Sequence, residues 1–313
     1  TYWPMRRYLN EFLSDHRVID YPKWKWQPIL QAIILSKRPF SSGEAYKSIW
    51  NHDKGESPLM TITKNQTAKL QAAMHDRYGD QVMVDFCMRY GNPSTKSKVR
   101  EMVAAGCDRI LFFPLYPQYA GATTGTANDK FFQVMMKQKW QPTTRTVAPY
   151  FAEPDYIEAL AQSVEQAYAT METKPDVLVT SYHGLPKRYL TEGDPYHCQC
   201  MKTTRLLKER LGWADDQIKV TFQSRFGPAV WLQPYTVEEV ARLAESGKKN
   251  IAVVAPAFSA DCIETLEEIN EEIRESFEEA GGENFTYIPC LNEGDAHIDA
   301  LVRIIGDNLK GWV

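Results

Sequence analysis

Long apolar runs and a strong excess of charge of either sign are both missing from this chain. No stretch of about 18 apolar residues occurs, so the sequence predicts no membrane-spanning helix. The net charge of -4 offers no basic face of the kind that nucleic-acid binding requires. Six cysteines do not make a disulfide framework in a chain of this length, and no secretory leader is visible. We therefore expect a protein of the reducing cytoplasm that binds no nucleic acid.

Motifs for nucleotides and for closed zinc sites are absent as well. The chain contains no His-Glu-x-x-His, no paired Cys-x-x-Cys and no closed set of zinc ligands. It also contains no Gly-x-Gly-x-x-Gly and no Gly-Lys-Thr phosphate loop. We therefore expect that the protein holds no nucleotide.

Apolar and aromatic residues are plentiful. The chain is 43% hydrophobic, which is enough for a sizeable core. Its 8 Trp, 16 Tyr and 13 Phe suit a flat, apolar ligand, although core packing explains most aromatic residues in most proteins. At 313 residues the chain exceeds one average domain. We expect two halves, residues 1–150 and 151–313, with the last helix packing back on the first half.

Segments of strand and helix type alternate from residue 82 onward. The predicted strands are residues 82–88, 109–115, 144–149, 177–182, 218–223, 250–255 and 285–289. The predicted helices are residues 59–78, 95–105, 127–139, 155–173, 198–211, 237–246, 262–280 and 296–309. This alternation predicts an α/β fold with a parallel sheet that carries helices on both faces.

One stretch in each half has a similar sequence. Residues 84–91 read Val-Asp-Phe-Cys-Met-Arg-Tyr-Gly, and residues 220–227 read Val-Thr-Phe-Gln-Ser-Arg-Phe-Gly. A helix, a glycine and another apolar strand follow in both cases. The repeat predicts that the two halves have similar structures.

The chain begins without Met and enters a helical pattern at once. Met5 and Phe12 belong to this pattern, so we expect a helix there and a natural start that lies upstream. Residues 21–40 are then rich in apolar side chains and include the cations Lys37 and Arg38. This segment predicts either a core helix or an exposed lip that meets a membrane surface or an apolar ligand with acidic tails.

The strongest candidate for a functional side chain is His183. Residues 177–179 form an apolar run typical of a buried parallel strand, and Gly184 and Pro186 end that strand. His183 therefore lies at the carboxyl end of a strand, where open α/β sheets bind ligands. The alternative for a histidine at a strand end is local packing and hydrogen bonding.

A second candidate region is the acidic stretch after the strand at residues 250–255. Asp261, Glu264 and Glu268 share one face of the predicted helix, with Asp261 as its cap. The alternative is a solvated acidic surface, which we accept for Glu267 and for the glutamates beyond residue 271. Starting at a strand end, the ladder would carry cations or protons, and Glu264 is its innermost member.

The residue types at the strand ends suit a metal and a macrocycle. A neutral imidazole opposite a carboxylate can bind a divalent metal or remove protons. Cations can pair with ligand carboxylates, and aromatic rings can line a flat ring system. Such side chains are Lys37, Arg38, Arg89, Tyr90, Tyr116, Tyr119 and Trp231.

Several motifs, in this order, make the chain resemble the ferrochelatases, the enzymes that insert iron into a porphyrin, and in particular the bacterial protoporphyrin type. The motifs are Arg89-Tyr90-Gly91-Asn92-Pro93, Pro114-Leu115-Tyr116-Pro117-Gln118-Tyr119, Ser181-Tyr182-His183-Gly184-Leu185-Pro186, Gln223-Ser224-Arg225-Phe226-Gly227 and Asp261-Cys262-Ile263-Glu264-Thr265-Leu266. The resemblance implies two Rossmann-like halves of chelatase type, each a parallel sheet flanked by helices, with a porphyrin cleft between them.

The resemblance also implies a role for each candidate. His183 would take the pyrrole protons and contact the metal, and it would face Glu264 across the macrocycle. Glu264 would orient His183 or bind the metal, and Asp261 and Glu268 would extend the metal path. The residues implied in porphyrin binding are Ile29, Arg38, Arg89, Tyr90, Tyr116, Tyr119, Ser181 and Trp231.

Substrates and partners follow from the same resemblance. Fe²⁺ and protoporphyrin IX would be the substrates, and haem the product. The lip would close over the porphyrin and rest on the inner face of the membrane. Some family members bind a [2Fe–2S] cluster through four thiolates. Here Cys198 and Cys200 are either two of its ligands or two reduced thiols at a helix start, and both a monomer and a homodimer stay open.

Two departures from the family pattern and three alternatives remain. Ferrochelatases usually begin with an apolar strand that ends in Asn-Leu-Gly-x-Pro, and we expect that this record starts after it. Some branches carry His where Cys262 stands here. The alternatives are a chelatase for coproporphyrin or for a cobalt or nickel tetrapyrrole, a haem or porphyrin carrier, and an iron–sulfur sensor.

Overall fold

Helices alternate with parallel strands along residues 2–313, the part of the chain that the computed structural model describes. This alternation confirms the predicted α/β fold. The chain divides into two units. The first unit takes the residues up to 115, residues 120–148 and residues 302–313, and the second takes residues 116–119 and 149–301.

The strands of each unit are parallel. In the first unit β1 (Arg109–Phe112) pairs with β2 (Thr143–Thr146). The strands of the second unit are β3 (Val177–His183), β4 (Ile218–Gln223), β5 (Asn250–Val254) and β6 (Asn284–Ile288). Their order in the sheet is β4-β3-β5-β6, so β3 and β5 are the inner strands.

Helices make up most of the rest. The first six are α1 (Tyr2–Leu13), α2 (Lys23–Ile29), α3 (Leu35–Ser48), α4 (Pro58–Tyr78), α5 (Thr95–Ala104) and α6 (Thr126–Met135). The later ones are α7 (Pro154–Thr170), α8 (Lys187–Thr191), α9 (Tyr196–Leu211), α10 (Thr236–Glu245), α11 (Ile263–Leu266), α12 (Arg274–Glu279) and α13 (Asp295–Leu309). A 3₁₀ turn spans Gly79–Gln81, and π-helical segments span Leu30–Ile34, Gly121–Gly125 and Glu268–Ile273.

The second-unit sheet is buried on both faces, as its continuous apolar strands predict. Val177 and Val179 of β3 point to the face that α10 and α12 cover, where they pack with Val240 and Phe277. Leu178, on the opposite face, is also fully buried. Because the sheet is rigid and covered, the residues at the carboxyl ends of its strands have fixed positions.

Residues 21–40 contribute both to the core and to the surface, so each of the two predicted alternatives holds for part of the segment. Leu30 and Leu35 are buried with Leu9 and Leu13 of α1. Trp24, by contrast, is 75% exposed. Within residues 2–313, no helix has the length and hydropathy needed to cross a membrane.

The strand predicted at residues 82–88 is wrong. This segment is extended, but its backbone groups bond to side chains and to the following turn. Val84 N–H donates to Gln71 Oε1 at 2.6 Å, and Gln71 Nε2 donates to the Val82 carbonyl at 3.3 Å. An apolar pattern of strand type therefore forms no ladder here, because side-chain amides satisfy the backbone instead.

The predicted internal repeat has a counterpart in local structure. In the first unit Met88 N–H donates to the Pro93 carbonyl at 2.8 Å, and α5 begins two residues after this proline. In the second unit Phe222 N–H donates to the Pro234 carbonyl at 2.8 Å, and α10 begins two residues later. Both units thus use the same connection between an extended segment and a helix.

Candidate active site

His183 is the last residue of β3, and its side chain is half-buried. Its ring atom Nδ1 lies 2.8 Å from the Gly184 carbonyl oxygen. Because a carbonyl oxygen can only accept, Nδ1 carries the proton of this hydrogen bond. In the neutral ring the lone pair is then on Nε2, which makes that atom the one that can take a proton or bind a metal.

Gly184 is required by close packing around the strand end. A Cβ at this position would lie 2.6 Å from the Gln223 carbonyl oxygen and 3.1 Å from Cε3 of Trp231. Gly184 N–H also donates to that Gln223 carbonyl at 2.8 Å. The Trp231 ring therefore lies directly beside the backbone that carries His183. Its indole N–H is buried and finds no acceptor in the part of the chain that the structure describes.

Gln223 connects the end of the sheet to the acidic segment. It is paired with His183 in the register of β3 and β4, and it is 3% exposed. Ser181 Oγ donates to Gln223 Oε1 at 2.7 Å. Gln223 Nε2 donates to the Glu264 carbonyl at 2.8 Å and to Glu268 Oε2 at 3.1 Å. The same Glu268 oxygen accepts from Ser224 Oγ at 2.5 Å. Sequence analysis gave Gln223 no role.

Ser181 is fully buried, which bears on its predicted porphyrin contact. Its hydroxyl bonds to Gln223 and lies 3.0 Å from Thr236 Oγ1. Thr236 in turn donates to Thr221 at 2.9 Å. The side chain of Ser181 is thus part of an interior hydrogen-bond chain that holds Gln223.

Asp261 lies outside the helix that it was expected to cap. The N-cap of α11 is Cys262, and Asp261 precedes it, 5% exposed. The Asp261 carboxylate accepts from the hydroxyls of Thr265 and Tyr287, the latter at 2.5 Å, and from Asn292 Nδ2 at 2.7 Å. The predicted cap is wrong because these distant donors hold the carboxylate away from the helix end.

The regular helix predicted for residues 262–280 is interrupted at Glu268–Ile273, which is π-helical. Glu272 N–H donates to the Glu267 carbonyl, five residues earlier, at 3.1 Å. This winding changes which glutamates are neighbours. Burial, and then the nearby carboxylates with Glu272 foremost, raises the pKa of Glu267 to about 7. Glu267, assigned from sequence to the solvated surface, is therefore half-buried and belongs to the acidic group.

Arg89 and Tyr90, in the first unit, converge on Asp15. The Arg89 guanidinium forms an ion pair with Asp15, and its Nε donates to Thr126 Oγ1 at 2.7 Å. Tyr90 OH donates to Asp15 at 3.0 Å. Burial opposes ionisation of Asp15, but hydrogen bonds from Thr126, from the Arg17 backbone and from Tyr90 outweigh it, so the pKa of Asp15 is lowered. Sequence analysis missed Asp15 because it lies 74 residues from Arg89.

Tyr116 and Tyr119 lie in the short segment that belongs to the second unit, and both are half-buried. Tyr119 N–H donates to Gln199 Oε1 at 2.7 Å. The buried Gln118 between them donates to Thr203 Oγ1 at 3.0 Å. Helix α9 therefore holds this segment through two side-chain hydrogen bonds.

The predicted lip residues Ile29 and Arg38 are exposed, on α2 and α3 of the first unit. Ile33, between them, is 57% exposed. The apolar surface of this segment therefore includes Trp24, Ile29 and Ile33.

The cysteines do not fit a [2Fe–2S] cluster, which needs four convergent thiolates. Cys198 is exposed, whereas Cys200 is fully buried, and residues two apart on a helix point about 200° apart. Burial raises the pKa of the Cys200 thiol. Cys262 is buried as well, and burial together with the Glu264 charge raises its pKa, so it stays a protonated thiol.

The predicted iron ligands are not gathered into one set. Across residues 2–313, no three His, Cys, Asp or Glu side chains converge in a way that would hold a metal ion. What the structure brings together is His183 and Gln223 on paired strands, with Gln223 on Glu268 and on the backbone of Glu264. The metal-binding assignments therefore stay predictions.

Comparisons with known proteins agree with one another. The family model described as ferrochelatase matches residues 1–309. A ferrochelatase from Rhodobacter capsulatus is 69% identical over 313 residues, which are 100% of this chain and 89% of that protein. A ferrochelatase from Rhizobium etli is 53% identical over 312 residues, 100% of this chain and 90% of that one.

Solved structures share the fold at much lower identity. SirB from Bacillus subtilis with Fe³⁺ is 13% identical, with a TM-score of 0.58 over 80% of this chain and 91% of that one. CbiX, described as the terminal enzyme for siroheme biosynthesis in denitrifying bacteria, is also 13% identical, with a TM-score of 0.53 over 80% and 92%. These likenesses support the chelatase type of fold.

Proposed function

Because the chain belongs to the ferrochelatase family, we propose that it inserts Fe²⁺ into protoporphyrin IX and releases protohaem, the terminal step of haem biosynthesis. One observation carries this proposal: the similarity extends over the full chain, with 69% identity to the relative from Rhodobacter capsulatus. The matched residues, 1–309, include His183 and Glu264, whose chemistry the reaction needs.

His183 is proposed to remove the pyrrole protons. A porphyrin must lose two N–H protons when it binds Fe²⁺, so that the ring dianion balances the charge of the metal. The proton on Nδ1 is held by the Gly184 carbonyl, which leaves the Nε2 lone pair as the base. The fixed strand end keeps this atom at a constant place.

Glu264 and Glu268 are proposed to deliver the iron. Carboxylate oxygens bind divalent cations, and Fe²⁺ must exchange its water ligands for others before it enters the ring. Glu267, with a pKa of about 7, can both accept and release a proton near neutral pH, which suits a path for the protons that leave His183. We assign Asp261 to the support of this segment, since both of its oxygens already accept hydrogen bonds.

Porphyrin binding is proposed for aromatic and basic side chains of each unit. In the second unit these are Tyr116, Tyr119 and Trp231, whose indole N–H is free to donate to a ligand. In the first unit they are Ile29, Arg38, Arg89 and Tyr90. Ser181 is reassigned, because a fully buried hydroxyl bonded to Gln223 positions that side chain rather than the ligand.

Contact with a membrane surface is proposed for the lip, residues 21–40. Its exposed apolar side chains Trp24 and Ile33 stand among the cations Lys23, Lys25 and Lys37. Apolar side chains enter the interface while cations meet anionic headgroups. Porphyrins partition to such surfaces, so this contact would bring enzyme and substrate together at the inner face of the membrane.

An anaerobic assay tests the proposed function. Protein, protoporphyrin IX and Fe²⁺ are mixed, and porphyrin fluorescence and haem absorbance are followed together. We expect turnover to haem, faster with protoporphyrin IX than with coproporphyrin and faster with Fe²⁺ than with Co²⁺ or Ni²⁺. Tight porphyrin binding without turnover would contradict the proposal and favour a carrier, and a preference for coproporphyrin would change the substrate.

A further inference from the structure

We propose that Asn292 is a positioning residue for the reaction, and that it fixes the turn carrying Glu264 by a two-point hydrogen bond with Asp261. This inference rests on the proposed function and adds a residue to it. Asn292 follows β6 in the chain and lies 31 residues from Asp261. No sequence motif singled it out.

The two residues bond to each other at two points. Asp261 N–H donates to Asn292 Oδ1 at 2.8 Å, and Asn292 Nδ2 donates to Asp261 Oδ2 at 2.7 Å. One side-chain amide therefore holds both the backbone and the carboxylate of its partner. Such a pair fixes orientation as well as distance, because a single hydrogen bond would still allow rotation.

The backbone at Asn292 explains why this residue type stands there. Its φ is 47°, in the left-handed region that Gly and Asn adopt more readily than other residues. His297 Nδ1 donates to the Asn292 carbonyl at 2.7 Å, and His297 is 1% exposed. A buried imidazole at the start of α13 thus holds Asn292 in the conformation that points its amide at Asp261.

From Asp261 the constraint passes to Glu264. The Asp261 carboxylate accepts from Thr265 Oγ1 at 3.0 Å, and Thr265 Oγ1 in turn accepts from Cys262 N–H at 3.0 Å. Glu264 lies between Asp261 and Thr265 in the chain, so the position of its Cα is set by these bonds. On its other side, its carbonyl is held by Gln223.

This placement predicts an effect on turnover rather than on porphyrin binding. The Asn292–Asp261 pair touches none of the residues proposed to bind porphyrin, and it controls where the Glu264 carboxylate stands. Hydrogen-bond partners behind metal-binding side chains typically change activity or metal affinity by about 10- to 100-fold when they are lost. We expect kcat to fall by that factor while the affinity for protoporphyrin IX stays within about 2-fold of wild type.

A residue exchange tests the inference. Asn292→Asp sets two carboxylates against each other, and Asp261→Asn sets two amides against each other. The double variant restores one amide donor facing one pair of oxygens and keeps an acceptor for the Asp261 N–H. We expect each single variant to lose about 10- to 100-fold in kcat and the double variant to recover most of it.

The control is Asn284→Ala at the start of β6, which removes an exposed hydrogen bond to Asn250 and should leave kcat unchanged. Thermal unfolding of each variant reports whether it folds, and porphyrin fluorescence titration gives the affinity. Wild-type kcat in Asn292→Asp overturns the inference. A double variant as inactive as the singles also overturns it, since the Asp261 carboxylate itself would then be needed. If the wild type makes no haem, the proposed function fails as well, so the two failures are distinguishable.

Discussion

Gln223 Nε2 lies 3.1 Å from the Glu268 carboxylate and donates to it, while on the adjacent strand Gln223 is the register partner of His183. One buried amide therefore connects the proposed base to the proposed iron path. Its other contacts, to Ser181 and to the Glu264 carbonyl, leave it no freedom to turn. The relation explains how a sheet and an interrupted helix hold their functional groups in a constant arrangement.

Replacing Gln223 by Leu should lower activity more than stability suggests. The variant keeps the size of the side chain but leaves Ser181 Oγ and the Glu268 carboxylate short of partners, at a cost of about 1–3 kcal/mol in the free energy of unfolding. We expect kcat to fall about 10- to 100-fold. Steady-state kinetics and urea unfolding measure the two effects. Gln217→Leu, just before the same strand, is the control, and equal kinetic effects of both variants would refute the role of Gln223.

Adding one methyl group beside His183 should disturb the strand end. In Gly184→Ala the new Cβ meets the Gln223 carbonyl at 2.6 Å, a backbone atom that cannot move aside cheaply. We expect a loss of about 1–3 kcal/mol in stability and a lower kcat. Gly43→Ala, a helical position with open space around it, should be neutral or slightly stabilising. Wild-type stability and turnover in Gly184→Ala would contradict this packing argument.

The sequence predicted the local features well. The apolar run before His183 and the Gly-Leu-Pro break after it lie within a few residues, so strand, strand end and candidate base could all be inferred. The role of Asp261 could not be inferred, because its partner Asn292 is 31 residues away. The π-helical winding that buries Glu267 was missed for a similar reason, since Gln223 and Ser224 hold that segment from another strand.

Asp15→Asn should weaken the first unit and flatten its response to acid. The pKa of Asp15 is lowered in the folded protein, so its carboxylate stabilises the fold above the unfolded pKa of about 3.9. That contribution is lost as the pH falls through the lower folded pKa. We expect Asp15→Asn to cost about 2 kcal/mol at pH 7 and to show a smaller decline in stability below about pH 4.

Chemical unfolding at several pH values measures the Asp15 effect. Asp129→Asn removes a more exposed ion pair with Arg17 and should cost about 1 kcal/mol or less. An acid response in Asp15→Asn equal to that of the wild type would show that the Asp15 pKa is not lowered by the Arg89 network.

Cys198 and Cys200 should be dispensable for activity and colour. Because one thiol faces solvent and the other the interior of α9's packing, they cannot bind one cluster together. We expect the protein purified without air to lack the visible absorbance of a [2Fe–2S] centre, and Cys198→Ser to retain wild-type turnover. Cluster absorbance with about two irons per chain that disappears in Cys198→Ser would contradict this geometry.

His183→Ala tests the central claim most directly, which is that a strand-end imidazole removes the pyrrole protons. Folding is checked by thermal unfolding, protoporphyrin IX affinity by fluorescence titration, and turnover by anaerobic haem formation. We predict a folded variant that binds the porphyrin like the wild type and loses at least about 100-fold in kcat. A variant that metallates protoporphyrin IX at a rate near that of the wild type would contradict the role of His183 and move the proton acceptor elsewhere.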